Sequence, residues 1–213
     1  MKILIVAATY QEIEPFIKNS GLKNNDDLCF SNDKHSIKIV VSGVGMVATA
    51  YALGVELSKN NYDLAINVGV AGSFSKRIAL GDVVQVTEDV LSELGAEDDE
   101  DFLSLEELEL GETRFYQNEH TSYTTSLKKV NAITVNTVHG EEDSILLIKE
   151  RLNPQIESME GAAFFYACEE ANIAGLQVRA ISNYVEKRNK ANWNMPLAIL
   201  NLNKWILDYI TKL

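Results

Sequence analysis

A single-domain, three-layer α/β/α sandwich is the fold class predicted by this 213-residue sequence. Three observations lead there. Bare apolar, β-branched runs alternate with helix-periodic segments along the chain. The runs are bounded by Gly, Asp or Asn and lack polar alternation, the pattern of strands covered on both faces. No repeat, low-complexity tract or Pro/Gly-rich linker interrupts residues 1–213, so one domain is expected.

The first run, 2–7, resembles the start of a short signal peptide. Gln11, Glu12 and Glu14 follow too early, and no small-residue cleavage site appears, so it reads as a buried strand. A helix at 11–18 follows it, then a strand at 37–41. Residues 46–58 form a helix in which Met46, Ala50, Leu53 and Leu57 share one stripe. Strands at 64–68 and 83–86 come next. The acidic stretch from Glu88 to Glu112 contains Glu97-Asp98-Asp99-Glu100-Asp101 without the glycine and ligand spacing of a calcium loop. It reads as a solvated loop with no assigned chemistry. A strand at 132–135, helices at 144–151 and 161–171, a strand at 176–181 and a helix at 196–212 complete the chain. The last helix carries Leu200, Trp205, Ile206, Tyr209 and Ile210 at helical spacing.

Composition excludes several classes. A net charge of −12 argues against a nucleic-acid partner, because neutralising phosphates requires clustered Lys and Arg. No apolar run is long enough to span a bilayer. Cys29 and Cys168, the only cysteines, read as reduced thiols of a cytoplasmic protein, with Cys168 in helix packing. No metal-ligand spacing and no cofactor are expected.

Three tracts bring chemistry to one place. The strand 2–7 delivers Glu12 just past its end, Met159-Glu160-Gly161-Ala162 puts a carboxylate at the mouth of a small-residue helix, and Arg179-Ala180-Ile181-Ser182-Asn183 ends a strand on an amide. Ligands of doubly wound sheets bind outside the carboxyl ends of the strands, where these groups would gather. Each has a plainer reading. Glu12 and Glu160 also suit first-turn helix acids that favour the dipole, and Asn183 suits a turn or cap.

Ser42-Gly43-Val44-Gly45-Met46-Val47-Ala48 also matches the G-x-G-x-x-G/A dinucleotide fingerprint, whose helix N-terminus would face a pyrophosphate. That fold needs an acid at the end of the next strand. Asp63 instead precedes the strand at 64–68, which places it at the wrong end of the sheet. Without that acid the fingerprint alone is a weak signal.

The order of these motifs, with Asn67-Val68-Gly69-Val70-Ala71-Gly72 and Gly81-Asp82-Val83-Val84 between them, resembles the nucleoside phosphorylase and nucleosidase superfamily. Leu94-Gly95-Ala96-Glu97, the tract 102–108 and Ser182-Asn183-Tyr184-Val185-Glu186-Lys187-Arg188 are similar to its futalosine hydrolases. The resemblance implies a mixed central sheet and hydrolysis of the N-ribosidic bond of futalosine, releasing hypoxanthine on a route to menaquinone. It leaves two alternatives: a methylthioadenosine/adenosylhomocysteine nucleosidase and a purine nucleoside phosphorylase. The implied partner is a small purine nucleoside, and relatives of this kind self-associate.

The resemblance also assigns roles. Glu12 would activate water, and Glu160 would accept hydrogen bonds from the ribose hydroxyls with Met159 packed on the sugar face. Ala71 and Gly72 would let the backbone approach the base. Thr137 and Val138 would lie along it, and Val44 would line the substrate site. Asn183 stands where adenine-specific relatives carry aspartate. An amide cannot transfer a proton to N7, but its NH2 donates to N7 or to the O6 of a 6-oxopurine. Val70 departs from the serine of those relatives. Thr9-Tyr10-Gln11-Glu12 holds no cation where phosphorylases hold phosphate, which favours water as nucleophile. Arg77, Arg188 and Trp193 remain unranked partners for the substrate carboxylate. His120 and His139 receive no role.

Overall fold

The apolar runs become the middle of one mixed sheet, and their side chains decide which helices cover each face. The computed structural model describes residues 1–26, 28–118, 123 and 125–213. Its first half contains β1 (Lys2–Ala7), α1 (Tyr10–Asn19), β2 (Lys23–Asp26), β3 (Cys29–Ser31), β4 (Ser36–Val41), α2 (Met46–Leu57) and β5 (Leu64–Ser73). Then follow β6 (Val83–Leu91), β7 (Gly95–Asp98), β8 (Asp101–Ser104), β9 (Arg114–Tyr116) and β10 (Lys128–Thr134). The chain continues through α3 (Glu142–Leu152), β11 (Ile156–Ser158), α4 (Gly161–Glu170), β12 (Ala174–Tyr184) and α5 (Met195–Lys212).

Along the sheet the strand order is β11-β10-β6-β12-β5-β1-β4-β3-β2. β1, β4, β5 and β12 run parallel, so their carboxyl ends share one edge. β6 turns antiparallel to β12, and β10 and β11 follow the direction of β6. β11 also pairs antiparallel with β5, so five strands close on themselves beside the open part of the sheet.

Period-2 alternation sorts the core into layers. Ile3, Ile5 and Ala7 of β1 face Ile13 and Phe16 of α1 and Ala198, Leu202 and Ile206 of α5. Leu4 and Val6 face the other way, toward Leu53 of α2 and Ala162, Phe164 and Phe165 of α4. Burying each Leu, Ile or Phe contributes about 1.5–3 kcal/mol, so both helical layers are held on chiefly by these residues. Cys168 is one of them; burial in α4 raises its thiol pKa well above the ordinary value, consistent with packing.

Side chains secure two helix starts. Asn203 of α5 is buried, accepts from Phe16 N at 2.9 Å and donates to the Glu12 carbonyl at 2.8 Å. An α-helix ordinarily joins that carbonyl and that N–H directly. Asn203 therefore ties the first turn of α1 to the last helix. α3 begins on Glu141, whose side chain accepts from Ser144 N, and stops at the left-handed Asn153.

One expectation is corrected. The stretch from Glu88 to Glu112 is not one solvated loop: Glu88 to Leu91 extend β6, and residues 95–104 form the β7–β8 hairpin. The charged tip of that hairpin is exposed, but Asp89 is completely buried. Charge at nearly every position hid the strand alternation from a sequence reading. Leu200 also departs from the expected stripe of the last helix, being exposed.

Candidate active site

The carboxyl edge of the parallel strands gathers Glu12, Glu160, Asn183 and a buried arginine. Thr9 is the extended N-cap of α1, and Glu12 occupies the third position of the helix. Glu12 Oε2 accepts from Thr9 N at 2.8 Å and Thr9 Oγ1 at 2.9 Å, the reciprocal half of a capping box. Its other oxygen accepts from Val70 N at 3.1 Å, across the edge of β5. Glu12 therefore joins the start of α1 to the edge of β5. It caps the helix and is buried.

Glu160 sits at the N-cap of α4 and is buried as well. Its Oε1 accepts from Gly45 N at 3.1 Å, at the start of α2. Gly45 has φ +95°, a left-handed conformation that glycine adopts without strain. The glycine motif thus offers its helix-terminal N–H to the protein's own carboxylate. Asp63 accepts from Lys2 N at the opposite end of β1, as its place before the strand implied. β5 itself ends on Gly72 and Ser73, so the dinucleotide reading lacks its acid there.

Between the two acids lies Arg179 of β12, only 1% exposed, which the sequence reading gave no role. Its Nη2 hydrogen-bonds Asn67 Oδ1 and lies 3.8 Å from Glu160 Oε2, and its Nε donates to Gln177 Oε1 at 3.2 Å. Gly69 makes room: a Cβ there would stand 2.4 Å from Arg179 Nη1 and 3.0 Å from Glu12 Oε1. The network continues inward. Gln177 Nε2 donates to Asp89 at 3.0 Å, Thr134 Oγ1 donates to Asp89 at 2.8 Å, and Ala162 N donates to that hydroxyl at 2.8 Å. Burial pushes the Asp89 carboxyl up to about 6, against the opposing pull of Gln177, Thr134 and Arg179. A buried charge of this kind persists only when paired and hydrogen-bonded. The one signal in the sequence was a cation inside an apolar strand. Its partner Asn67 lies 112 residues away along the chain, so the pairing needed the fold.

Asn183 pairs with Gly72 of β5 just after a bulge at Ser182, one residue before the pairing ends at Tyr184. Such bulges re-aim side chains at sheet edges. Ser182 Oγ lies 2.8 Å from Asn183 Oδ1, and Asn183 Nδ2 donates to the Tyr184 carbonyl at 3.1 Å. With its oxygen held by the serine, the amide presents its NH2 and keeps one N–H available.

A cavity of about 50 Å³ opens beside this amide, with Gly72, Val138, His139, Glu157 and Trp193 in its wall. His139 N donates to Glu157 Oε1 at 3.1 Å, and His139 Nδ1 lies 2.7 Å from Oε2. Burial raises the Glu157 carboxyl while His139 pulls it down. The sequence reading gave neither residue a role; they lie eighteen positions apart, and neither stands in a motif. A larger cavity of about 560 Å³ is lined by Leu91, Phe102, Arg114 and Arg151 and by none of Glu12, Glu160 or Asn183.

Other expected residues divide. Ala71 is buried, with its carbonyl 3.3 Å from Ser182 Oγ, and Gly72 lines the small cavity. Met159 packs on the cluster of Val90, Ile133, Val135 and Ile148. Val44 is exposed in the turn before α2. Thr137 is exposed in the bend beside Val138 and is not part of that cavity wall. Arg188 lies over the Trp193 ring at 5.1 Å, whereas Arg77 is exposed elsewhere. His120 lies outside the described residues.

The comparisons with known proteins agree on one family. The profile of the phosphorylase superfamily matches residues 2–211. The futalosine hydrolase of Thermus thermophilus is 30% identical over 166 residues, 74% of each chain. That of Streptomyces coelicolor is 28% identical over 174 residues, covering 77% of this chain and 74% of its own. Among solved structures, the futalosine hydrolase of Helicobacter pylori superposes with a TM-score of 0.85 at 15% identity, covering 100% of this chain and 98% of its own. The methylthioadenosine/adenosylhomocysteine nucleosidase of Colwellia psychrerythraea, in complex with adenine, gives 0.82 at 20% identity, covering 100% and 96%. These last two carry the fold, and the profile match over almost every residue carries the family: the chain belongs to the phosphorylase superfamily.

Proposed function

We propose that the protein is a futalosine hydrolase, an N-ribosyl hydrolase that releases hypoxanthine and leaves dehypoxanthine futalosine. The reading is supported chiefly by the amide of Asn183 near the carboxyl end of β12, on the sheet edge that also carries Glu12 and Glu160; in it the amide meets the base and the two acids serve water and sugar. The identity to two curated futalosine hydrolases supports it independently.

In this reading Glu12 takes a proton from water. Its Oε2 already accepts two hydrogen bonds from Thr9, whereas Oε1 accepts only from Val70 N and keeps a second lone pair for the water. The resulting hydroxide attacks the anomeric carbon as the bond to the purine nitrogen breaks. The bonding pair leaves with the base, whose developing negative charge is met by the Asn183 N–H, and the base then takes its proton from solvent. Glu160 accepts from the ribose hydroxyls, which become stronger donors as the sugar turns cationic. Arg179, with Nη2 3.8 Å from Glu160 Oε2, steadies the position of that side chain. Met159, Ala71, Gly72, Val138 and Val44 complete the enclosure, and no step calls on a metal or cofactor.

The protein acts, on this proposal, as a cytoplasmic homo-oligomer in menaquinone synthesis. Free thiols at Cys29 and Cys168 suit a reducing compartment. None of the helices, among the described residues, is long and apolar enough to cross a membrane. Val44, Val47 and Tyr51 expose an apolar strip at the start of α2, next to Glu160's partner Gly45, where a second copy would cover the site.

Chromatography of futalosine, methylthioadenosine and inosine incubated with the protein, with and without phosphate, tests the reading. Hypoxanthine released from futalosine without phosphate is expected. Release of adenine alone would assign the adenine nucleosidase activity instead, and strict phosphate dependence would assign a phosphorylase.

A further inference from the structure

Glu157 has no part in the hydrolytic steps, yet it stands against the base end of the site. Three strands set it there. β11 pairs with β5 through Glu157 and Gly72, and β12 pairs with β5 through Asn183 and the same Gly72. Neighbouring strands are about 4.8 Å apart, so the two outer backbones are separated by roughly 10 Å across a residue with no side chain. A Cβ at Gly72 would meet Asn183 Nδ2 at 3.1 Å and Glu157 Cγ at 3.5 Å, so both side chains lean over the space the glycine leaves. Both also line the small cavity.

The chemistry of the pair is directional. An ionised carboxylate only accepts hydrogen bonds, and the NH2 of Asn183 donates. His139 occupies Glu157 Oε2 through Nδ1 and a longer contact from its backbone N–H, and takes one lone pair of Oε1, leaving the other lone pair of Oε1 available. A 6-oxopurine presents a matching edge: O6 accepts, and the adjacent N1–H donates. A 6-aminopurine reverses both, setting the N1 lone pair against the carboxylate and an amino group against the amide. Leaving a buried polar group opposed in this way is what gives such sites their discrimination.

We infer that Glu157 accepts the N1–H of the base and, together with Asn183, selects 6-oxopurines over 6-aminopurines, with His139 as its positioning residue. The inference rests on the proposed base end of the site, but not on turnover.

Calorimetric binding of free hypoxanthine and free adenine tests it. The wild-type protein should prefer hypoxanthine. Glu157→Gln should weaken hypoxanthine binding about 10- to 100-fold, the loss expected for one hydrogen bond to a charged group, and weaken adenine binding far less. Glu157→Asp, which withdraws the carboxylate by one carbon, should move in the same direction. Equal losses for both bases, or no loss, would overturn the inference. Should either variant fail to fold, nitrogen-15-labelled hypoxanthine on the wild-type protein decides: a downfield, protected N1 proton supports the bond, and an N1 proton exchanging as in free base refutes it. If futalosine is not cleaved while this discrimination holds, the hydrolase reading falls and the recognition of the base stands. The reverse outcome removes Glu157 alone.

Discussion

Replacing Glu12 by Gln separates the catalytic from the structural share of one carboxylate. Its two oxygens accept from Thr9 N, Thr9 Oγ1 and Val70 N. A glutamine has one acceptor oxygen, so its NH2 must face either the Thr9 N–H or the Val70 N–H, donor against donor. Losing one charge-assisted hydrogen bond and stranding one buried N–H together cost about 1–3 kcal/mol of folding stability. The hydroxyl of Thr9 can rotate to accept, which limits the loss on the capping side. Catalysis loses more: without a base for water, kcat should fall about 10²–10⁴-fold. Hypoxanthine release by chromatography gives the rate, urea unfolding gives the stability, and binding of free hypoxanthine shows whether the base end survives. A kcat within about threefold of wild type would remove Glu12 from the mechanism, since general-base catalysis contributes far more than that. A rate loss accompanied by an equal loss of base binding would mean that the variant disturbs the whole edge.

Three further outcomes are expected. Asn183→Asp should shift the ratio of kcat/KM for futalosine over its 6-amino counterpart by about 10²-fold toward the amino compound, and an unchanged ratio would refute the assignment. For Asp89, the carboxyl pKa is about 6 in the fold against 3.8 when unperturbed, so the folded protein binds that proton more tightly than the unfolded chain. The associated stability is full below about pH 4 and lost as pH rises through about 6, a change on the order of 3 kcal/mol. The stability of the wild type relative to Asp89→Asn, read by thermal unfolding, should therefore fall across that window, and parallel curves would contradict this. Finally, Tyr51→Glu on the exposed strip of α2 should reduce the mass seen by light scattering, whereas an unchanged mass would place any self-association elsewhere.

The long strands were legible because they are covered on both faces. Ile3, Leu4, Ile5 and Val6 are all fully buried, so no polar alternation blurred the run. β11 was not legible. It has three residues, two of them polar, and exists because β5 and β10 flank it on either side. Glu160 and Asn183 stand out in the sequence because one lies at a helix mouth and the other near a strand end. Arg179 showed itself as a cation within an apolar strand. Its meaning needed Asn67 and Glu160, which only the fold brings near. Glu157 and His139 gave no such sign, since each is ordinary in its local sequence and their pairing is made by tertiary structure alone.

Asn203 gives the site a dependence on assembly order. The acids at positions 12 and 160 and the amide at 183 all precede the helix that clamps the turn bearing the first of them. A nascent chain lacking that helix would hold all three groups and still have Glu12, the proposed base for water, on an unsecured turn. Turnover therefore reports on complete docking. Lesions around residue 203 should silence the enzyme without touching anything the nucleoside meets.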